Sequence, residues 1–443
     1  MFGKGLNLDQ APPLSLPLIF FLTAPLFGMA AGLLLLWRGA DLLLTPLAIE
    51  TVALVHLITL GVVTMVNLGA LYQIVPVLVG SVVPRPGLGR LVHLGLTLGL
   101  LALIGGMLFA VKPLFWLALL LLAIAFLLFD IQITQALRQA STFNPTTASL
   151  RIATGSLALA VLLGLLFMFE YSFGWLPLDR AAFTATHVYL ALGGWVAPLI
   201  TGVAYAIIPM FYLGVEFPAR RGWIVLASQV CTVLTGTAVA HLAPAPVWHL
   251  VPAAFAALGI SVFSVTTWRA LQQRKRRITD TTLRFWQLAL LAVPLSLIAL
   301  AGYALHPNPR WLMVFAVLFL LGFATAAING MLYKIVAFLI WLHRFSKLAG
   351  KVNIPLLKDI IPPGPTMWQW WGFVVMMLLL ISAVATGSDL LVRLAGLATV
   401  GSFGGLLVIL TTAARFRPDP KQMEPIIKID HGKKASMTGD GGR

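Results

Sequence analysis

The chain has 443 residues, of which 60% are apolar and only 10% are charged, and its mean hydropathy is +0.96. A soluble protein of this length does not reach such values, so the composition indicates an integral membrane protein. The single cysteine, Cys231, excludes an intramolecular disulfide and a paired-cysteine metal site.

Twelve apolar segments follow one another, and each is long enough to cross a bilayer as a helix. The first is interpreted as a retained helix, because the residues before it lack the order of charged, apolar and small residues of a cleaved signal. The expected fold is an all-α polytopic membrane protein with one membrane domain, residues 17–415. The predicted spans are 17–37, 50–79, 91–111, 114–137, 149–170, 181–212, 222–242, 246–269, 284–304, 311–342, 367–386 and 390–414.

One pattern occurs three times, on the second, sixth and tenth spans. Gly-x7-Gly-x2-Tyr-x3-Pro begins at Gly61 and at Gly194, and it begins again at Gly322 with alanine in place of proline. Such repetition indicates three related units of four helices each. On a helix the four positions share one sector, so the glycines predict close approach by another helix and the proline predicts a helix end. The units are 17–138, 149–270 and 284–415.

The net charge of +16 could suggest a nucleic-acid partner, but its distribution argues against one. Of the 30 Lys and Arg residues, 24 lie at the N-terminus, in the loops after even-numbered spans and in the C-terminal tail. Lys334 lies within the tenth span, and five lie in the opposite loops, namely Arg38, Lys112, Arg180, Arg310 and Arg393. By the positive-inside rule, the N-terminal segment 1–16 and the C-terminal tail 416–443 are expected in the cytoplasm, and the tail is expected to be disordered. The expected partner is the lipid bilayer, not a nucleic acid.

Two of the eight histidines lie well inside predicted spans, His56 in the second and His187 in the sixth. An ionisable residue at that depth is a functional hypothesis, because lipid penalises it. His56 lies 20 residues before the proline of its repeat, and His187 lies 22 residues before its own. The residue of the second unit that is equivalent to His56 is therefore Tyr189. Two positions differ by about 200° on a helix. If the units form a ring, opposite registers on neighbouring units can face one pore.

The stretch His187-Val188-Tyr189, followed by Gly194-Trp195 and by Tyr205 four residues before Pro209, resembles the tenth helix of the haem–copper oxidase subunit I superfamily. The likeness is greatest to C-family oxidases and nitric oxide reductases. The resemblance implies a fold of twelve helices in three pseudo-symmetric arcs of four. It also implies that the chain belongs to a divergent bacterial branch of the superfamily and lies in the inner membrane.

Matched residue by residue, the resemblance implies haem ligation by His187 and His56, which the family's geometry would place in one pore between the first two units. Tyr189 stands where the family has its second ligating histidine. The sequence departs from the family elsewhere, because the tenth span has no histidine and the seventh has no His-His pair for copper.

We therefore expect one b-type haem, or a metal such as copper, between His56 and His187, with a redox, oxygen- or nitric-oxide-related role. A complete reductase centre is not expected. Partners would be respiratory-chain subunits or an electron donor. The residues predicted to line the pocket or support the ligands are Met65, Tyr72, Tyr189, Tyr205, Tyr333 and Lys334.

Other interpretations remain open at this point. Each histidine could instead make a hydrogen bond between helices, worth about 1 kcal/mol. The protein could be a non-catalytic assembly or haem- or copper-handling factor of a respiratory complex, because fold does not imply function. It could also be a transporter that uses Asp130, Gln132, Asn329 and Lys334. Lys334 could extend to the membrane surface or pair with a carboxylate.

Overall fold

The computed structural model describes residues 12–43, 45–175, 179–243, 245–275, 279–418 and 423. Within them, twelve helices are long and apolar enough to cross a membrane, which confirms an all-α polytopic membrane protein. Nearly all of the predicted tail, and residues 1–11 of the N-terminal segment, lie outside the described residues. The helices are α1 (Ser15–Leu43), α2 (Ile49–Val79), α3 (Pro86–Phe109), α4 (Lys112–Arg138), α5 (Pro145–Phe173), α6 (Arg180–Tyr212), α7 (Ala219–Leu242), α8 (Pro246–Gln272), α9 (Thr281–Leu305), α10 (Pro309–Arg344), α11 (Pro363–Thr386) and α12 (Asp389–Ala414).

Several helices begin before the predicted apolar span because polar residues cap them. The first residue of α5 is Pro145, and the side chain of Asn144 accepts a hydrogen bond from the Thr147 amide at 2.9 Å. At the start of α9, the Asp280 carboxylate accepts from the Leu283 amide at 2.9 Å. Proline at the first position and an Asx cap are both favoured at helix N-termini.

The twelve helices form a closed ring of three similar arcs. In each arc the third helix packs along the fourth, and the first packs against the second. The fourth helix of each arc contacts the first helix of the next, so that α4 meets α5, α8 meets α9, and α12 returns to α1. The second helices of the arcs, α2, α6 and α10, carry the repeated pattern.

The repeated glycines lie where each second helix packs against the first helix of its own arc. A Cβ atom added at Gly69 would lie 2.6 Å from the Cβ of Phe20 on α1, and one added at Gly330 would lie 2.6 Å from the Cβ of Phe285 on α9. Real Cβ atoms do not approach so closely, so these positions require glycine for the helices to keep their distance. In all three arcs the residues that meet the two glycines are themselves seven apart, namely Phe20 and Phe27, Ser149 and Ser156, and Phe285 and Ala292.

The repeated proline lies inside the last turn of its helix, which continues past it. The helix ends at Val79, three residues after Pro76, and at Tyr212, three residues after Pro209. In the third copy alanine replaces proline, and the helix continues to Arg344. Because proline disturbs the turn before it, the two ends are better explained by the left-handed residues that follow, Gly80 and Leu213.

Each of the three second helices also contains a π-helical segment, which the sequence did not predict. The segments are Thr59–Thr64, Tyr189–Val196 and Val317–Thr325. Each ends two or three residues after the first repeated glycine. Segments of this kind are rare and occur frequently at functional sites.

Candidate functional site

His56 and His187 lie near the starts of equivalent helices, each seven residues after the first residue of its helix. The structure brings their imidazole rings together, with ring centres 6.3 Å apart and ring planes inclined by 24°. Both side chains are half-buried and keep some accessible surface. The two-position offset between the registers therefore does turn these side chains toward each other across the boundary between the first two arcs.

Backbone carbonyls fix the orientation of both rings. Nδ1 of His56 lies 2.8 Å from the carbonyl oxygen of Val52, one turn earlier in α2. Nδ1 of His187 lies 2.9 Å from the carbonyl oxygen of Ala160 in α5. A carbonyl oxygen only accepts hydrogen bonds, so each Nδ1 carries the proton and donates. Each Nε2 is left with a lone pair and has no hydrogen-bond partner within the described part of the chain.

The spacing suits a single ion between the two rings. A metal–nitrogen bond of about 2.0 Å, plus about 1.1 Å from nitrogen to ring centre, places two opposed imidazole centres about 6.2 Å apart. The observed separation is 6.3 Å. Histidines that bind metals usually donate their other ring N–H to a carbonyl or carboxylate. The ring-centre distance and the two hydrogen bonds are therefore compatible with a group that takes two imidazole nitrogens, such as a haem iron.

Helix α5 supplies the wall beside His187. The ring of Phe167 meets the imidazole edge-on, with centres 6.2 Å apart. A Cβ added at Gly164 would lie 3.5 Å from Cε1 of His187, an ordinary van der Waals distance, so the ring packs directly beside this turn of α5. Sequence reasoning had no cause to include α5, because its contribution is a backbone carbonyl and an aromatic ring.

A site for copper with three protein ligands does not occur among the described residues, where no group of three His, Cys, Asp or Glu side chains could hold a metal. Several other histidines have partners of their own. His241 Nε2 lies 3.1 Å from the Thr186 hydroxyl, and His93 Nε2 lies 2.9 Å from the Thr23 hydroxyl. Within the described ranges, no third histidine stands with His56 and His187 in a group that could hold a metal.

Tyr189 lies on the opposite side of α6 from His187. Its hydroxyl is 2.8 Å from Nδ1 of His249 in α8, and its ring packs beside Gly236 in α7. The structure therefore does not place Tyr189 beside the histidine pair, although it follows His187 by only two residues in the same helix. Of two registers about 200° apart on α6, that of His187 therefore faces the first arc, and that of Tyr189 packs against α7 and α8 of its own arc.

The remaining predicted pocket residues are also separated from the histidines. Met65, Tyr72 and Tyr205 follow their histidine by nine, sixteen and eighteen residues, which at about 1.5 Å per residue is roughly 14 to 27 Å along the helix. The hydroxyl of Tyr72 donates to Gln132 at 2.8 Å, and that of Tyr333 donates to Gln369 at 2.7 Å. These tyrosines join neighbouring helices near the proline-bearing end of the ring.

Of the two interpretations of Lys334, extension to the membrane surface or pairing with a carboxylate, the structure shows the pairing. Its ammonium group donates to Asp280, which also caps α9 and accepts a hydrogen bond from the Tyr212 hydroxyl at 3.3 Å. The Lys334 nitrogen lies 5.6 Å from the centre of the Tyr212 ring. One carboxylate thereby joins the end of α6, the start of α9 and the last turns of α10.

No protein-family model matches the chain, and no curated protein matches it significantly, so its function has to be inferred from this geometry.

Proposed function

We propose that this protein is a haem–copper-oxidase-like membrane protein that binds one b-type haem between His56 and His187. The observation that carries the proposal is the pair of imidazoles with centres 6.3 Å apart, each with Nδ1 directed to a carbonyl and Nε2 free. The resemblance of α6 to the family's tenth helix supports the same pair.

His56 and His187 would hold the iron through Nε2, and a bound haem would supply one-electron transfer. The carbonyls of Val52 and Ala160 keep each ring in the ligating tautomer and restrict its rotation. Phe167 shields one edge of the His187 ring. Because two imidazoles of the chain would hold the iron, the arrangement favours electron transfer or redox sensing over reduction of oxygen or nitric oxide.

We also propose that the proline-bearing ends of α2 and α6 face the cytoplasm of a bacterial cell, with both chain termini on that side. The charge asymmetry supports this orientation, because 24 of the 30 Lys and Arg residues belong to that side. The histidine pair then lies in the outer half of the membrane, where an external electron donor or a respiratory-chain partner could reach it.

The test is a visible spectrum of the purified protein, with haem and metal content measured on the same sample. A bis-imidazole haem gives a sharp reduced α-band, and we expect His56→Ala and His187→Ala each to abolish it. His241→Ala is the matched control, because this histidine lies near the same end of the neighbouring helix and bonds to Thr186, the residue before His187. The control should keep the full spectrum.

A second variant separates ligation from folding. His56→Met supplies another axial ligand, so we expect haem to remain bound while its reduction potential rises. Size-exclusion elution and helical content should match those of the unmodified protein in every variant. A colourless, metal-free protein from cells supplied with haem precursor, or a spectrum that survives both alanine changes, would contradict the proposal.

A further inference from the structure

An open cleft of about 710 Å³ lies where the end of α10 meets the end of α12. Its lining contains three arginines, Arg344, Arg415 and Arg417, together with Phe345 and Phe416. All three arginines are exposed. Among the described residues, no carboxylate forms an ion pair with any of them. The cleft therefore concentrates positive charge that the described part of the chain does not neutralise.

Arg344 reaches this cleft because α10 is longer than its two equivalents. The helices α2 and α6 end three residues after the repeated proline, whereas α10 continues for seven residues past Ala337. The residues equivalent to Arg344 in the other two arcs are Val83 and Glu216, and both lie outside helices. An arginine at this register therefore occurs in the third arc alone.

The end of α12 holds the guanidinium group of Arg344 in a defined orientation. Nη1 donates to the carbonyl oxygen of Phe416 and Nη2 to that of Ala414, both at 2.8 Å. The last carbonyls of a helix have no partner within the helix, so these bonds satisfy them. A guanidinium group has five N–H donors, and three of them are not used here. Because its rotation is already restricted, this side chain loses little entropy when it binds a ligand.

A phosphate group matches this cleft in charge and in geometry. Guanidinium groups bind phosphate oxygens through paired N–H donors, and such charge-assisted bonds are stronger than neutral ones. The cleft lies at the ends of two membrane-spanning helices, which is the level of the lipid headgroups. Basic pockets between such helices on the cytoplasmic side bind anionic headgroups. Its volume also falls within the range of about 300–1,000 Å³ of small-molecule sites.

We propose that this cleft binds the phosphate of an anionic phospholipid headgroup through Arg344, Arg415 and Arg417. The proposal does not depend on haem binding. It rests on three arginines in one cleft, on the fixed guanidinium of Arg344, and on the position of the cleft at the ends of two spans. A bound lipid would join α12, the last helix of the ring, to α10.

Native mass spectrometry of the full chain, released from detergent micelles, tests the proposal by counting bound lipid. The probes are phosphatidylglycerol, which is anionic, and phosphatidylcholine, which carries the same phosphate but no net charge. We expect the protein to retain phosphatidylglycerol in preference. Arg415→Gln combined with Arg417→Gln should weaken the apparent affinity for phosphatidylglycerol by about tenfold to thirtyfold, since each basic side chain adds to the attraction. Helical content and size-exclusion elution should not change.

Lys347→Gln combined with Lys351→Gln is the matched control. It removes two exposed positive charges from the loop that follows α10, and neither lysine lines the cleft. The control should change the affinity by less than about twofold, because charges away from the site are screened. Equal weakening by the two double variants, or equal retention of phosphatidylcholine, would show that the cleft does not select the lipid and would overturn the proposal.

Two further arms concern the phosphate itself. Replacement of Arg415 and Arg417 by lysine keeps the charge but not the paired donors, so it should restore only part of the affinity; full restoration would exclude recognition by the guanidinium groups. Inorganic phosphate has the same chemistry but no acyl chains to hold it at the membrane surface. It should not displace phosphatidylglycerol, and displacement would assign the cleft to free phosphate instead of a lipid.

Discussion

The three tyrosines of the repeated pattern allow one substitution to be made in three equivalent places with different expected results. Tyr72 and Tyr333 donate to the buried amide oxygens of Gln132 and Gln369. Tyr205 has a buried hydroxyl that makes no hydrogen bond of normal geometry among the described residues and is only in weak interaction with Thr201, one turn earlier. Replacement by phenylalanine removes only the hydroxyl, so the three variants differ in what they leave behind.

At Tyr72 and Tyr333 the change leaves a buried amide oxygen without its donor. Hydrogen bonds inside membrane proteins average roughly 0.6 kcal/mol and reach about 1.7 kcal/mol, and an orphaned acceptor adds to this loss. We expect Tyr72→Phe and Tyr333→Phe each to lower the free energy of unfolding by about 1–2 kcal/mol. At Tyr205 the change removes a poorly paired polar group, so stability should stay the same or rise by up to about 1 kcal/mol.

The assay is reversible unfolding in mixed micelles, followed by helical content and repeated with each variant. Because the tyrosines share one position in the repeat, general effects of losing a hydroxyl near the helix end are common to all three. Equal losses at the three sites, or the largest loss at Tyr205, would refute the assignment of these hydrogen bonds.

Three further predictions concern the ion pair, the topology and the glycine contacts. Lys334→Met should lower the free energy of unfolding by about 1–3 kcal/mol. This is less than the roughly 3–5 kcal/mol of a fully buried pair, since the two side chains are 18% and 25% exposed. In a double-mutant cycle with Asp280→Asn the combined loss should be clearly smaller than the sum of the single losses, and additive losses would exclude coupling. In a Cys231→Ser background, a cysteine at Thr142 should react with an impermeant thiol reagent only in inverted vesicles and one at His306 only in intact cells, and the reverse pattern would refute the proposed orientation. Gly330→Ala should lower the free energy of unfolding by about 1–3 kcal/mol, because the added methyl group forces α10 away from Phe285. At Gly372 an added Cβ meets no atom within 4 Å, so Gly372→Ala should be neutral or stabilise the protein by up to about 1 kcal/mol. Equal effects in unfolding measurements would show that the close approach is unimportant.

Hydropathy and the repeated pattern were sufficient to predict the twelve helices and the packing role of the glycines. Both depend on local properties, namely the length of an apolar run and the volume of a side chain at a helical spacing. The expected disruption at Pro76 and Pro209 does not occur, because both prolines are accommodated inside the helix. The earlier start of α5 depends on Asn144, a polar residue that a hydropathy profile places in the loop.

The candidate site was only partly predictable. The offset between His56 and His187 indicated opposite registers, but the direction of the units around the ring decides whether the two rings meet. The carbonyls of Val52 and Ala160 carry no signal in the sequence, because every residue has one. Likewise, nothing near Lys334 pointed to Asp280, which precedes it by 54 residues and lies outside the predicted spans.

The three π-helical segments carry information about the history of the chain. A π turn holds one residue more than an α turn over a similar rise, so each segment corresponds to an inserted residue that the helix absorbed without shifting its far end. All three copies have the distortion at nearly the same distance from the first repeated glycine. A residue inserted in a common four-helix unit before that unit was copied twice would give all three copies this distortion. The copies differ in their histidines, because the third has none at the register of His56 or at that of His187.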